Sequence, residues 1–161
     1  MSAQVKTWQH IIDEFQSRLQ EWASGRGMKV DWPPWKAGHR IISSRSILQL
    51  GDTPQVLLYV KVRSREPGFW GLTASWLQAL RESGREWFVV LLLGSPATGY
   101  LLPSTEVNHR AIAERVWHLA RDGDFKIHPS GLSEEFYFPS FDALIDSLER
   151  QMASPPALER A

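Results

Sequence analysis

A lysine and an arginine alternate with apolar residues in the segment Tyr59-Val60-Lys61-Val62-Arg63. In a β-strand these alternate positions share one face, because successive side chains point to opposite sides of the sheet. An ammonium and a guanidinium on one face can bind phosphate oxygens, and the guanidinium does so in bidentate geometry. The same alternation is typical of the solvent-facing side of a half-buried sheet, so the pattern alone leaves both interpretations open.

Basic residues are concentrated around this segment although the chain as a whole is neutral. The 161 residues include 18 basic and 18 acidic side chains, yet residues 26–65 have a net charge of +6. Such a stretch presents a local positive surface, because charges beyond about 8–10 Å are screened by salt. A solvated hairpin is the alternative. Three further arginines are candidates for a surface that holds a nucleic-acid backbone; they are Arg40, Arg45 and Arg65.

The eight tryptophans are a second unusual feature. Trp32, Trp35 and Trp70 fall in predicted loops beside basic residues, where an indole can stack on an unpaired base or fill a pocket of a partner protein. The alternative is that these side chains cap the open end of the sheet.

Other catalytic chemistry finds little support in the composition. The chain has no cysteine, which excludes disulfides, thiol nucleophiles and thiolate zinc sites. The five histidines lack metal-ligand spacing such as H-x-x-x-H, and neither a glycine-rich phosphate loop nor a G-x-S-x-G elbow occurs. We therefore predict no metal site and no cofactor, with Mg²⁺ required only if the protein is an active nuclease.

The elements that position these residues follow from hydrophobic periodicity. Helices are predicted at 8–22, 72–81, 106–120 and 141–151, and strands at 28–31, 39–50, 55–63, 87–93, 99–102 and 125–128. Gly51-Asp52-Thr53-Pro54 predicts a tight turn, and therefore a hairpin between the second and third strands. We expect one α/β domain over 1–152, with a central mixed sheet flanked by helices, and a disordered tail at 153–161.

This order of elements, together with particular residues, resembles the restriction-endonuclease-like, or PD-(D/E)XK, nuclease superfamily. Glu14 lies on the first helix, Tyr59-Val60-Lys61 occupies the position of the acid-X-lysine triplet, and Phe69-Trp70-Gly71-Leu72 with Trp76-Leu77-Gln78 occupies the following helix. The resemblance covers roughly residues 8–104. It implies a three-layer sandwich in which Lys61 faces a phosphate.

The acids that hold divalent cations in that family are missing from the matching positions. Tyr59 replaces the triplet acid, and the strand expected to supply an aspartate contains only Arg, Ile and Ser at 40–46. A phenol and a serine hydroxyl are poor Mg²⁺ ligands at neutral pH, and Glu14 alone cannot anchor the ion. The resemblance therefore implies a degenerate member with vestigial Glu14 and Lys61. Glu66, in the loop after the strand, is the acid that can rebuild a site if this loop folds back.

Three functions remain open. The first is a non-catalytic domain that binds nucleic acid within a DNA-processing or defence system. The second is a protein interaction module, whose tryptophan-rich loops bind a partner or a second copy of the chain. The third is an active Mg²⁺-dependent nuclease using Glu14, Glu66 and Lys61. The residues assigned to the nucleic-acid interface are Arg40, Arg45, Lys61, Arg63, Arg65, Trp35 and Trp70.

The expected compartment is the cytoplasm. The first residues lack the apolar core of a secretory signal, and no apolar run approaches the roughly 20 residues needed to span a bilayer. We therefore predict no association with membranes.

Overall fold

A computed structural model describes residues 2–31, 35–37, 40–42, 47–51, 56–63, 70–113 and 116–153. Within these ranges the helices are α1 (Ser2–Gly25), α2 (Ala74–Glu82), α3 (Ser104–Asn108) and α4 (Phe141–Ala153). The strands are β1 (Val30–Asp31), β2 (Trp35–Ala37), β3 (Arg40–Ile42), β4 (Ile47–Leu50), β5 (Val56–Val62), β6 (Trp70–Thr73), β7 (Glu86–Leu92), β8 (Gly99–Pro103), β9 (Asp124–Ile127) and β10 (Tyr137–Phe138). None of the described helices is long and apolar enough to cross a membrane.

Six of the described strands form one mixed sheet in the order β1-β4-β5-β7-β8-β10. Strands β5 and β7 are parallel and connected through α2, whereas the other neighbouring pairs are antiparallel. Two strands of only two residues, β1 and β10, form the edges. Two further ribbons lie outside this sheet, one made of β2 and β3 and the other of β6 and β9.

Helices cover both faces of the sheet, as predicted. On the first face, α1 and α4 pack against alternate residues of β5 such as Leu58 and Val60. Helix α1 buries Ile12, Phe15 and Leu19, whose spacing places them on one stripe of the helix. On the second face, α2, α3 and the β6–β9 ribbon pack against the opposite set of residues. The chain is therefore an α/β protein with a central mixed sheet between layers of helices.

The second strand of the predicted hairpin is confirmed as β5. The predicted first strand, 39–50, contains two separate strands, β3 and β4. Residues 47–50 pair with β5 in antiparallel orientation, as a hairpin requires, and Leu50 is opposite Val56. Residues 40–42 pair instead with β2, so Arg40 is opposite Ala37 rather than a residue of β5.

The prediction of a helix over 106–120 is wrong beyond its first turns. Helix α3 is followed by a π-helical turn, His109–Ala113, and residues 118–120 run beside β9. The Ala120 amide donates to the Asp124 carbonyl, and Leu119 forms an isolated bridge with Phe125. The local pattern favours a helix, but backbone pairing with a strand formed later in the sequence outweighs that weak preference.

Candidate nucleic-acid interface

Lys61 lies on β5, on the sheet face that carries the β6–β9 ribbon. Its side chain is partly buried, and it follows the buried Tyr59 on the same face. Burial lowers the pKa of the Lys61 ammonium, the Asp124 carboxylate acts in the opposite direction, and the charge of Lys126 lowers the pKa further. Both of these charged residues belong to β9. The ribbon therefore brings an acid and a second lysine to the position where the sequence predicts a phosphate-facing lysine.

Tyr59, which the resemblance noted from the sequence aligns with a triplet acid, makes a structural contact. Its hydroxyl accepts a hydrogen bond of 3.1 Å from the Thr73 amide, at the residue that precedes α2. Its ring centre is 5.5 Å from that of Trp76. Burial raises the pKa of the Tyr59 phenol, so the hydroxyl remains protonated at neutral pH. A neutral, buried phenol that anchors the start of a helix is a poor metal ligand.

Asp124 is the acid that sequence reasoning missed. A methyl group at Gly71, on the neighbouring strand, would lie 3.0 Å from Oδ2 of Asp124, so the glycine leaves room for this carboxylate. Residues 122–124, Asp-Gly-Asp, are readily interpreted from sequence as a helix breaker only. Asp124 acts electrostatically on the Lys61 ammonium because β9 pairs with β6, a pairing that local pattern does not reveal.

Asp122 completes the charged group around β9. Its carboxylate accepts a hydrogen bond of 2.7 Å from the Lys126 ammonium and one of 3.0 Å from the Asp124 amide. These bonds lower the pKa of Asp122, so the carboxylate is ionised at neutral pH. Within the described ranges, no group of three or more histidine and acidic side chains is arranged to hold a metal ion.

Arg63 continues the basic face of β5 and lies against an aromatic ring. Its guanidinium carbon is 5.6 Å from the centre of the Trp70 ring, within range of a cation–π interaction. The prediction that Trp70 lies in a loop is wrong. Trp70 lies in β6 and is only 1% exposed. Its indole N–H donates to the Leu92 carbonyl at 3.0 Å. Trp70 is therefore a core residue that supports Arg63. Too little of its ring is accessible for it to stack on a base.

Two tyrosines extend this face toward the sheet edge. Tyr100 on β8 is opposite Tyr137 on β10, and their ring centres are 5.5 Å apart. Tyr100 also contacts Trp70, with 6.1 Å between ring centres. The two-residue strand β10 leaves no periodic signal, so the sequence did not reveal that Tyr137 joins Tyr100 on this face.

The remaining predicted site residues are dispersed or lie outside the described ranges. Glu14 is on α1, exposed and paired with Arg18 at 2.7 Å. Because α1 covers the first face of the sheet and Lys61 projects from the second, the fold does not bring Glu14 to Lys61. Trp35 and Arg40 are placed by their backbone on the β2–β3 ribbon. The predictions for Trp32, Arg45, Arg65 and Glu66 fall on residues outside the described ranges.

No protein-family model matches the chain, and a search of curated proteins found no match either. A functional assignment therefore rests on the geometry around Lys61.

Proposed function

We propose that this domain binds nucleic acid through the phosphodiester backbone at Lys61 and Arg63, and that it is a degenerate nuclease-fold domain that does not cleave its ligand. The observation that carries the proposal is a partly buried lysine, Lys61, beside a tyrosine, Tyr59, that has a structural rather than a metal-binding role. The lysine remains partly buried beside charged groups, while Tyr59 at the triplet position is committed to a hydrogen bond with Thr73.

The charges around Lys61 favour an anionic ligand. Three cations, Lys61, Arg63 and Lys126, lie in this region with two carboxylates, Asp122 and Asp124, so the group carries a net charge of +1, and Asp122 is paired with Lys126. Partly burying an ammonium costs free energy that an aliphatic residue would not. A lysine kept in such a place, with its pKa shifted by burial and by specific charges, is a candidate for a functional role.

The missing metal ligands support binding without hydrolysis. Mg²⁺ at a phosphodiester needs several hard oxygen ligands, mainly carboxylates, to polarise the phosphate and activate water. Tyr59 offers no anionic oxygen, and Glu14 belongs to the opposite layer. Among the described residues, Asp124 is the carboxylate that acts on Lys61, and the nearby Asp122 is bound by Lys126.

The test is a titration of labelled single-stranded and duplex DNA at low and high salt, with and without Mg²⁺, scored for binding and for cleavage. We expect binding that weakens as salt rises, with intact DNA in every sample. Lys61→Ala should weaken binding about tenfold, the order expected for one phosphate contact in a partly buried site. Arg150→Ala is the matched control, because Arg150 is an exposed arginine on α4, which packs on the opposite face.

Each alternative has its own result. Cleavage that EDTA stops and that Asp124→Ala or Glu14→Ala abolishes would establish an active nuclease. Equal binding by Lys61→Ala and the unaltered protein would refute the site. A failure to bind any DNA at low salt would move the assignment to a protein partner. The surface to test would then be the exposed apolar side chains Ile112, Val116 and Leu119, which are 52%, 43% and 56% exposed.

The lowered pKa of Lys61 gives a second prediction. Above that pKa the folded protein loses the Lys61 charge, while lysines with the ordinary pKa of about 10.4 remain protonated. DNA affinity should therefore fall as pH rises from 7 toward 10, and Lys61→Arg, which stays charged, should retain more of it. The measurement is the ratio of the dissociation constants of the unaltered protein and of Lys61→Arg for DNA, determined at several pH values between 7 and 10. A ratio that does not change with pH would contradict a role for the Lys61 ammonium.

A further inference from the structure

One row of residues crosses four strands of the sheet at the level of Lys61. Lys61 on β5 is opposite Leu91 on β7, Leu91 is opposite Tyr100 on β8, and Tyr100 is opposite Tyr137 on β10. Residues opposite one another in a sheet project from the same face. The row therefore has a cation at one end and two phenol rings at the other, separated by about 14 Å for three strand spacings.

Arg63 and Trp70 connect the two ends of this row. The Arg63 guanidinium lies over the Trp70 ring, Trp70 meets Tyr100 edge to face, and Tyr100 meets Tyr137 in the same way. Arg63 also acts electrostatically on the Tyr100 hydroxyl, in the direction opposite to that of Glu134. Cationic and aromatic groups thus form a continuous strip from the middle of the sheet to its edge.

Exposure increases along this strip toward the edge strand. Trp70 is buried and Tyr100 partly buried, whereas Tyr137 is 42% exposed. Tyr137 therefore packs on Tyr100 through an edge contact and is partly open to solvent. A tyrosine in this setting offers a rigid ring to a ligand at a small cost in conformational entropy.

We infer that Tyr137 stacks on an unpaired nucleobase while the adjoining phosphates lie toward Arg63 and Lys61, so the ligand is single-stranded nucleic acid rather than a duplex. The inference rests on the proposed function and adds the choice of strand form. An aromatic ring stacks on any base whose face is free, whereas the bases of a duplex are already stacked on one another. The cations supply attraction that is independent of sequence, and the ring supplies the preference for a single strand.

The experiment compares a labelled thymidine oligonucleotide with a duplex of the same length, using fluorescence anisotropy on the full chain. The unaltered protein should bind the single strand more tightly. Tyr137→Ala should weaken single-strand binding about tenfold and leave duplex binding and the salt dependence unchanged, because stacking releases no counterions. Tyr137→Phe should restore the affinity, since it retains the ring.

The outcomes separate this inference from the function on which it rests. If Lys61→Ala weakens binding but Tyr137→Ala does not, the phosphate site stands and the stacking role is refuted. Equal losses for single strand and duplex in Tyr137→Ala, or failure of Tyr137→Phe to restore affinity, would also refute stacking. If neither nucleic acid binds at low salt, the proposed function and the inference both fail.

Discussion

Replacing Trp70 by alanine should lower the free energy of unfolding by about 3–5 kcal/mol, the cost of truncating a large buried aromatic side chain. The indole is 1% exposed and packs against Tyr100, and its N–H satisfies the Leu92 carbonyl. Alanine removes these contacts and leaves a cavity beneath Arg63. Urea unfolding followed by circular dichroism measures the change, because the far-ultraviolet signal reports mainly on the backbone rather than on the tryptophan that is removed.

Trp70→Phe is the matched control for this substitution. Phenylalanine retains an aromatic ring beneath Arg63 and loses the hydrogen bond, so the cost should be well below that of alanine. The result also separates two roles for Trp70. Near-normal stability of Trp70→Ala, combined with loss of DNA binding, would restore the sequence-based interpretation that this indole stacks on bases.

Replacing Gly99 by alanine should cost about 3 kcal/mol or more, because the new methyl group meets backbone that cannot rotate away. A Cβ at this position would overlap the Leu91 carbonyl oxygen and lie 2.9 Å from the carbonyl carbon and 3.0 Å from the Leu92 Cα. Gly99 is opposite Leu92 in the β7–β8 pairing, so the two strands must separate at that point.

Gly131→Ala is the control for Gly99→Ala. A Cβ at Gly131 has open space around it, and we expect a change within about 0.5 kcal/mol. The same urea unfolding experiment applies to both variants. Equal stability of the two would show that β7 and β8 are not in close contact at Gly99.

Sequence pattern predicted the elements whose periodicity is strong and failed where pairing is distant. The apolar run of β7 and the amphipathic α4 are found within two residues of the predicted bounds, since each is defined by its own side chains. Strand β6 was not predicted, and the second half of the predicted helix over 106–120 is wrong. Their conformations depend on pairing with β9, and no local pattern specifies this partner.

The candidate site was predictable to the same extent. Alternation along β5 placed Tyr59, Lys61 and Arg63 on one face, as found. It did not show which face of the sheet α1 covers. Glu14 could lie near Lys61 only if α1 covered the same face from which Lys61 projects. Asp124 comes near Lys61 through the pairing of β9 with β6, and Tyr137 joins this face through the register of the sheet. Neither position can be predicted from local sequence pattern.

The shortness of the two edge strands limits how this protein can associate with other chains. An edge strand presents unpaired amide and carbonyl groups, and a long one invites an extended peptide, or another copy of the protein, to add a further strand. Here β1 and β10 each have only two residues, so either edge offers very few such groups. Within the described ranges, these two edges are therefore poorly suited to recruiting a partner or aggregating through the backbone.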